Sequence, residues 1–150
     1  MSGNLVSLIT PTTTLKVSST LDKSVGKKHI IDDSPETCWT SLEGLPQYIQ
    51  LSFDTPVIPK RALLTFQGGF VGTHCSVYTS LDLTNKKTWS LLKAIYPEDV
   101  NRKQSFDLHP PISGNINEGV TSIKLVFETS SDFFGRITVY DLKLEGTVPA

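Results

Sequence analysis

Apolar and polar residues alternate along much of this chain, with the period of two that marks strands half-buried on one face. Gln47 to Phe53 is the clearest case: Ile49, Leu51 and Phe53 share one face, and Asp54-Thr55-Pro56 reads as the turn that closes the strand. Leu15 to Ser18, Cys75 to Thr79 and Gln104 to Leu108 alternate in the same way, and Thr121 to Phe127 puts Ile123, Leu125 and Phe127 on one side. Ala62 to Phe66 is a short apolar run that stops at Gly68-Gly69. Trp89 to Tyr96 fits strand or helix by pattern, and its aromatic ends and the Pro97 stop favour a strand. Arg136 to Leu144 alternates through Ile137 and Val139, then in the other phase through Leu142 and Leu144. That slip predicts a bulge at Tyr140-Asp141. Ser19 to Gly26 has room for one helical turn.

Roughly eight or nine short strands, punctuated by Gly and Pro and with no long amphipathic helix, specify an all-β fold, an antiparallel two-sheet β-sandwich or jelly roll. Ile49, Leu51, Phe53, Leu125, Phe127, Ile137 and Val139 are its expected core, and Trp39 and Trp89 read as core plugs. No linker, repeat or low-complexity tract divides the sequence. The whole chain, 1–150, is expected to be one domain with its core at about 15–146 and a loose lead-in at 1–14. A domain of this length buries roughly 68–70% of its unfolded surface, so it needs neither disulfide nor structural metal.

Charge narrows the partners. With 14 basic and 15 acidic residues the net charge is −1, which gives no field for nucleic acid or an anionic membrane. The short cluster Lys27-Lys28-His29 reads as a solvated surface run. The N-terminus carries no basic region followed by an apolar stretch, and no run is long enough to span a bilayer. The two cysteines, Cys38 and Cys75, form no C-x-x-C pair. These features lead us to expect an intracellular protein, nuclear or cytoplasmic, with reduced thiols, although a Cys38–Cys75 bridge is open on sequence alone.

Nothing in the chain assembles a catalytic centre. His29, His74 and His109 share no metal-ligand spacing, and Gly68-Gly69 lacks the Lys and Ser/Thr of a phosphate loop. Cys75 follows His74, but neighbours on a strand point to opposite faces and so do not form a Cys–His pair. A non-enzyme is expected. Two loops carry binding chemistry instead. Gly68 to Thr73 sets Phe70 and Val71 between glycines as exposed apolar residues. Ser130 to Arg136 offers Asp132, Phe133, Phe134 and Arg136, the aromatic-plus-Arg composition of interface hot spots. The alternative is that the Phe rings cap the open end of the sandwich. Arg136 would either take a partner carboxylate or turn inward to Asp132.

The stretch His29-Ile30-Ile31-Asp32-Asp33-Ser34-Pro35-Glu36-Thr37-Cys38-Trp39 resembles the loop that opens discoidin, or galactose-binding-like, domains. In that family an Asp precedes a Trp by seven residues and a Thr precedes it by two, as Asp32 and Thr37 precede Trp39. Gln47-Tyr48-Ile49-Gln50-Leu51, Val77-Tyr78-Thr79-Ser80 with Asp82 and Trp89, and Asp141-Leu142-Lys143-Leu144-Glu145-Gly146 are similar to later family segments. Five segments narrow the resemblance to the small single-domain nuclear-receptor-associated branch: Gly26-Lys27-Lys28-His29, Glu36-Thr37-Cys38-Trp39, Phe66-Gln67-Gly68-Gly69-Phe70, Tyr96-Pro97-Glu98-Asp99 and Asp132-Phe133-Phe134-Gly135-Arg136. The resemblance covers about Leu15 to Gly146. The disulfide that joins the chain ends in secreted family members has no counterpart here.

The family often holds one Ca²⁺ in this loop. Hard cations take six to eight oxygen ligands, which carboxylates, hydroxyls and loop carbonyls supply in a short span. Carried over by position, the resemblance implies a cage of the His29 carbonyl, Asp32, Ser34, Thr37, the Tyr140 carbonyl and Asp141. Ser34 stands where relatives commonly place a second Asp, so a weak structural site is expected. The alternative is a metal-free loop in which Asp32 and Thr37 tie down the backbone. The resemblance and the loop chemistry together imply a protein-interaction module, its partner a nuclear receptor or another regulatory protein. A carbohydrate-binding module with a Ca²⁺-stabilised loop is the alternative. An anionic-lipid binder is disfavoured, because only Arg136 accompanies the apolar loop residues.

Overall fold

The structure is a computed structural model that describes residues 4–81, 88–108 and 119–149. Asp82 and His109, named above, lie outside the described residues. Among the described residues nine strands follow in order: β1 (Val6–Ser7), β2 (Thr14–Val17), β3 (Trp39–Thr40), β4 (Gln47–Phe66), β5 (His74–Ser80), β6 (Ser90–Ile95), β7 (Lys103–Asp107), β8 (Val120–Thr129) and β9 (Thr138–Thr147). Two 3₁₀ turns, Lys23–Val25 and Lys27–Ile30, occupy the connection before β3, where one helical turn was expected.

Every strand pair is antiparallel, and β4 belongs to two layers. Its first half pairs with β2 and with β8, which continues to β5 and β6. Its second half pairs with β7 and with β9, which carries β1 and β3. The switch lies between Ser52 and Val57, where the ladder to β8 slips register. Asp54, Thr55 and Pro56 are exposed there but stay in the strand, so the expected turn is a bend in one 20-residue strand. The physical reason is that the register slip leaves Pro56, which has no N–H, outside the ladder without ending the strand.

The layers bury the expected faces. Ile49, Leu51, Leu125, Phe127, Ile137 and Val139 are completely buried and Phe53 nearly so. Phe66 of one layer meets Phe127 of the other edge to face at 5.7 Å, a favourable aromatic geometry. The bulge expected near Tyr140 is present: Thr65 pairs with Asp141 and Phe66 with Val139, so Tyr140 is the extra residue. Trp39 is a core plug, fully buried, with its indole N–H donating to the Ser19 carbonyl at 2.9 Å.

Two expectations are corrected. Trp89 is only half-buried: it flanks β6, whose only partner among the described residues is β5, and the Lys124 ammonium lies 4.7 Å from its ring and 4.7 Å from that of Tyr48. An edge strand has one side left for solvent, so an aromatic there packs under a cation rather than into the core. The lead-in is not loose throughout. Leu8 is buried and donates its N–H to the Leu144 carbonyl, and β1 extends the ladder along β9.

Candidate functional site

Three loops converge at one end of the sandwich. The first, after β8, is ordered by its own Asp132. The Asp132 carboxylate accepts from the Arg136 backbone N–H at 3.0 Å and from the Arg136 guanidinium at 2.9 and 3.2 Å. Ser130 Oγ donates to the Arg136 carbonyl at 2.7 Å, and Gly135, at φ 83°, donates its N–H to the Asp132 carbonyl. Hydrogen bonding from Arg136 holds the Asp132 carboxyl below its ordinary range, and the same contact raises Arg136, with a smaller electrostatic contribution from Glu43. Arg136 therefore turns inward, the second of its two expected roles.

This compact turn drives Phe133 into solvent, 93% exposed, with Phe134 beside it at 54%. The two rings meet edge to face at 5.2 Å. The loop after β4 joins them through Arg136, whose guanidinium sits 5.1 Å from the Phe70 ring and 5.7 Å from the Phe134 ring. Main-chain bonds fix the pair: Ser131 N–H to the Val71 carbonyl at 2.9 Å and Thr138 N–H to the Phe70 carbonyl at 3.0 Å. The structure thus sets the Phe70 loop and the Phe133–Arg136 loop side by side. Phe70 and Val71, expected to be exposed, are not: Val71 is fully buried and Phe70 half-buried. The bonds from Ser131 and Thr138 hold that loop down against the sandwich, which leaves Val71 no route to solvent.

The third loop was not foreseen. Leu42 and Leu45, 47% and 43% exposed, flank Gly44, whose N–H donates to the Phe134 carbonyl at 2.8 Å. Buried Gln47 anchors this loop. Its Oε1 accepts from Ser18 Oγ at 2.5 Å and Ser19 Oγ at 2.7 Å, and its Nε2 donates to the Leu42 and Gly44 carbonyls at 3.2 and 2.8 Å. The signal was present as two leucines around a Gly before Pro46, a turn composition carrying apolar side chains. Leu42, Leu45, Phe133 and Phe134 thus form an apolar rim on loops whose backbone is already hydrogen-bonded. Glu43 and the Asp132–Arg136 pair supply its polar groups.

The Asp32 loop lies elsewhere and satisfies itself. Asp32 Oδ2 accepts from Thr37 Oγ1 at 2.7 Å and pairs with His29 Nδ1 at 2.8 Å, while Oδ1 accepts from the Ser34 N–H at 3.0 Å. The Thr37 and then the His29 contact hold the Asp32 carboxyl down at about 2. Asp141 stands apart from this network, with Oδ2 3.5 Å from Lys143 Nζ and Oδ1 buried without a hydrogen-bond partner among the described residues. Burial pushes its carboxyl above the ordinary range. Among the described residues no group of three or more His, Cys, Asp or Glu side chains is placed to hold a metal ion. Both carboxylate oxygens of Asp32 are thus taken up by protein donors, from Thr37, His29 and the Ser34 N–H.

Beside this loop, over β4, β7 and β9, opens a cavity of about 550 Å³ lined by Asp33, Ser34, Thr65, Asn101, Lys103, Tyr140, Asp141 and Lys143 among others. It sets Lys103 and Lys143 against Asp33 and Asp141, so it offers no net charge to a phosphate or polyanion. His74 stacks on Tyr96 at 5.0 Å, while Cys75 next to it is fully buried with its thiol pushed far up by burial, the opposite of an activated nucleophile. Both cysteines are free thiols, and no helix among the described residues is long and apolar enough to cross a membrane.

Comparison with known proteins agrees with this architecture. No family model matches the chain. It is 40% identical over 144 residues to the nuclear receptor 2C2-associated protein of Danio rerio, covering 93% of this chain and 95% of that protein. The Homo sapiens protein of the same description is 36% identical over 145 residues, covering 93% and 96%. Among solved structures, an F5/8 type C domain from Bacteroides fragilis superposes with a TM-score of 0.75 at 13% identity, covering 98% of this chain and 99% of that one. A family 32 CBM from C. perfringens NanJ, in complex with galactose, gives 0.74 at 15% identity, covering 95% and 99%. At these identities the two structures share the galactose-binding-like, discoidin-type β-sandwich and no more.

Proposed function

The chain belongs to the nuclear receptor 2C2-associated protein family, and from that premise we infer that it is a non-catalytic adaptor whose partner is a nuclear receptor of the 2C2 type, docked on the Leu42, Leu45, Phe133 and Phe134 rim. The observation that carries this reading is Phe133, a Phe ring 93% exposed on a turn whose polar groups are bonded internally. A soluble domain seldom exposes clustered apolar side chains without a contact to make. A preordered loop loses little entropy when it binds. The acidic Glu43 beside the rim suits a partner with a complementary basic group. Free thiols and the relatives' receptor association support an address inside the cell, in nucleus or cytoplasm.

Calorimetric titration of the native chain with the purified receptor, and separately with galactose, tests the reading. Saturable binding of the receptor and none of the sugar is expected. Saturable binding of galactose with none of the receptor would favour a carbohydrate-binding module and overturn the adaptor.

A further inference from the structure

Lys143 and Asp33 are 110 residues apart in sequence, yet Lys143 Nζ lies 2.9 Å from Asp33 Oδ1. The same ammonium lies 3.5 Å from Asp141 Oδ2. Lys143 follows Asp141 by two positions on β9, so both side chains leave the same face of the sheet. Asp33 reaches them because its backbone takes φ 62°, the left-handed conformation that Asp tolerates better than most residues. One positive charge therefore ties the loop to the closing strand. A divalent cation placed among loop carboxylates makes the same kind of connection.

The remaining carboxylate needs no cation. Asp32 takes its hydrogen bonds from Thr37, His29 and the Ser34 N–H. A dication entering beside Asp141 would meet the Lys143 ammonium at ion-pair distance and be repelled by it. We propose that Lys143 is the resident cation of this site: its ammonium takes the position of charge that a metal would otherwise hold between Asp33 and Asp141, and the loop closes without metal.

Thermal melts of the intact chain in millimolar Ca²⁺ and in chelator test this, for the native protein and for Lys143→Met and Lys143→Arg. The native melting temperature is expected to be the same in both buffers. Lys143→Met is expected to melt a few degrees lower in chelator and to recover part of that loss in Ca²⁺, while Lys143→Arg stays metal-insensitive. A native protein stabilised by Ca²⁺ would overturn the proposal and make buried Asp141 Oδ1 a metal ligand. A Lys143→Met protein that melts like the native one, or that melts lower but ignores Ca²⁺, would also overturn it, leaving an ordinary ion pair.

Discussion

Arg136 closes a two-pronged ion pair onto Asp132, Nε to Oδ2 at 2.9 Å and Nη2 to Oδ1 at 3.2 Å. A guanidinium matched to both carboxylate oxygens fixes direction as well as charge. Here it holds the turn that presents Phe133 and stacks the same guanidinium between Phe70 and Phe134. Lysine has one point charge and no plane, so Arg136→Lys should keep the fold but loosen the turn. Hydrogen exchange at residues 132–136 is expected to accelerate in that variant while the β8 and β9 amides keep their protection. Unchanged exchange in the turn would show that the main-chain bonds order it without Arg136.

The two classes of Phe should separate on truncation. Phe127→Ala removes a ring packed against Phe66 and should cost roughly 3–5 kcal/mol. Phe133→Ala removes an exposed ring and should stay within about 0.5 kcal/mol of the native stability. Urea denaturation midpoints of the two variants check this. Comparable losses would mean that Phe133 caps the core, the alternative raised from the sequence.

Gly135 lets the Phe loop sit against the Leu42–Leu45 loop. Its φ is 83°, and a Cβ there would come within 3.1 Å of the Gly44 backbone. Gly135→Ala should therefore cost about 1–2 kcal/mol from the left-handed conformation. The close approach to Gly44 adds to that and should part the two loops. Denaturation gives the first effect. Loss of protection at the Gly44 amide, which bonds the Phe134 carbonyl, gives the second. A variant with native stability and native protection would contradict the close packing.

Acid should weaken the Asp32 loop in a defined window. Thr37 and His29 hold the Asp32 carboxyl at about 2, below the roughly 3.9 of an unfolded Asp. A depressed folded-state value means that its contribution is complete above pH of about 4 and fades as pH falls toward 2. Urea midpoints of the native chain should drop across that window more steeply than those of Asp32→Asn, which has no carboxyl to protonate there. Parallel curves would contradict the assignment.

Much of the fold was legible because alternation reports burial directly. Ile49, Leu51, Leu125 and Phe127 carry strict period-two patterns, and all four are buried. The slip at Tyr140 was readable too, because a bulge inverts the phase of everything after it. The bend at Asp54–Pro56 was not. Turn residues mark both a chain reversal and a strand that changes layers, and only the register with β8 separates the two. Trp89 was misplaced because hydrophobicity does not say which strand lies at an edge. The candidate loops were legible in composition, yet Leu42, Leu45 and Lys143 gain their roles from partners far along the chain. Nothing local to Lys143 announces Asp33.

The measurement that bears most directly on the account is the receptor affinity of a Phe133→Ala, Phe134→Ala double variant, taken with its melting temperature on the same sample. Two ring contacts at the centre of an interface should weaken binding at least about tenfold. The melting temperature should stay close to native, because both side chains are exposed. Native affinity in the double variant would contradict the account and place the partner on another face of the sandwich.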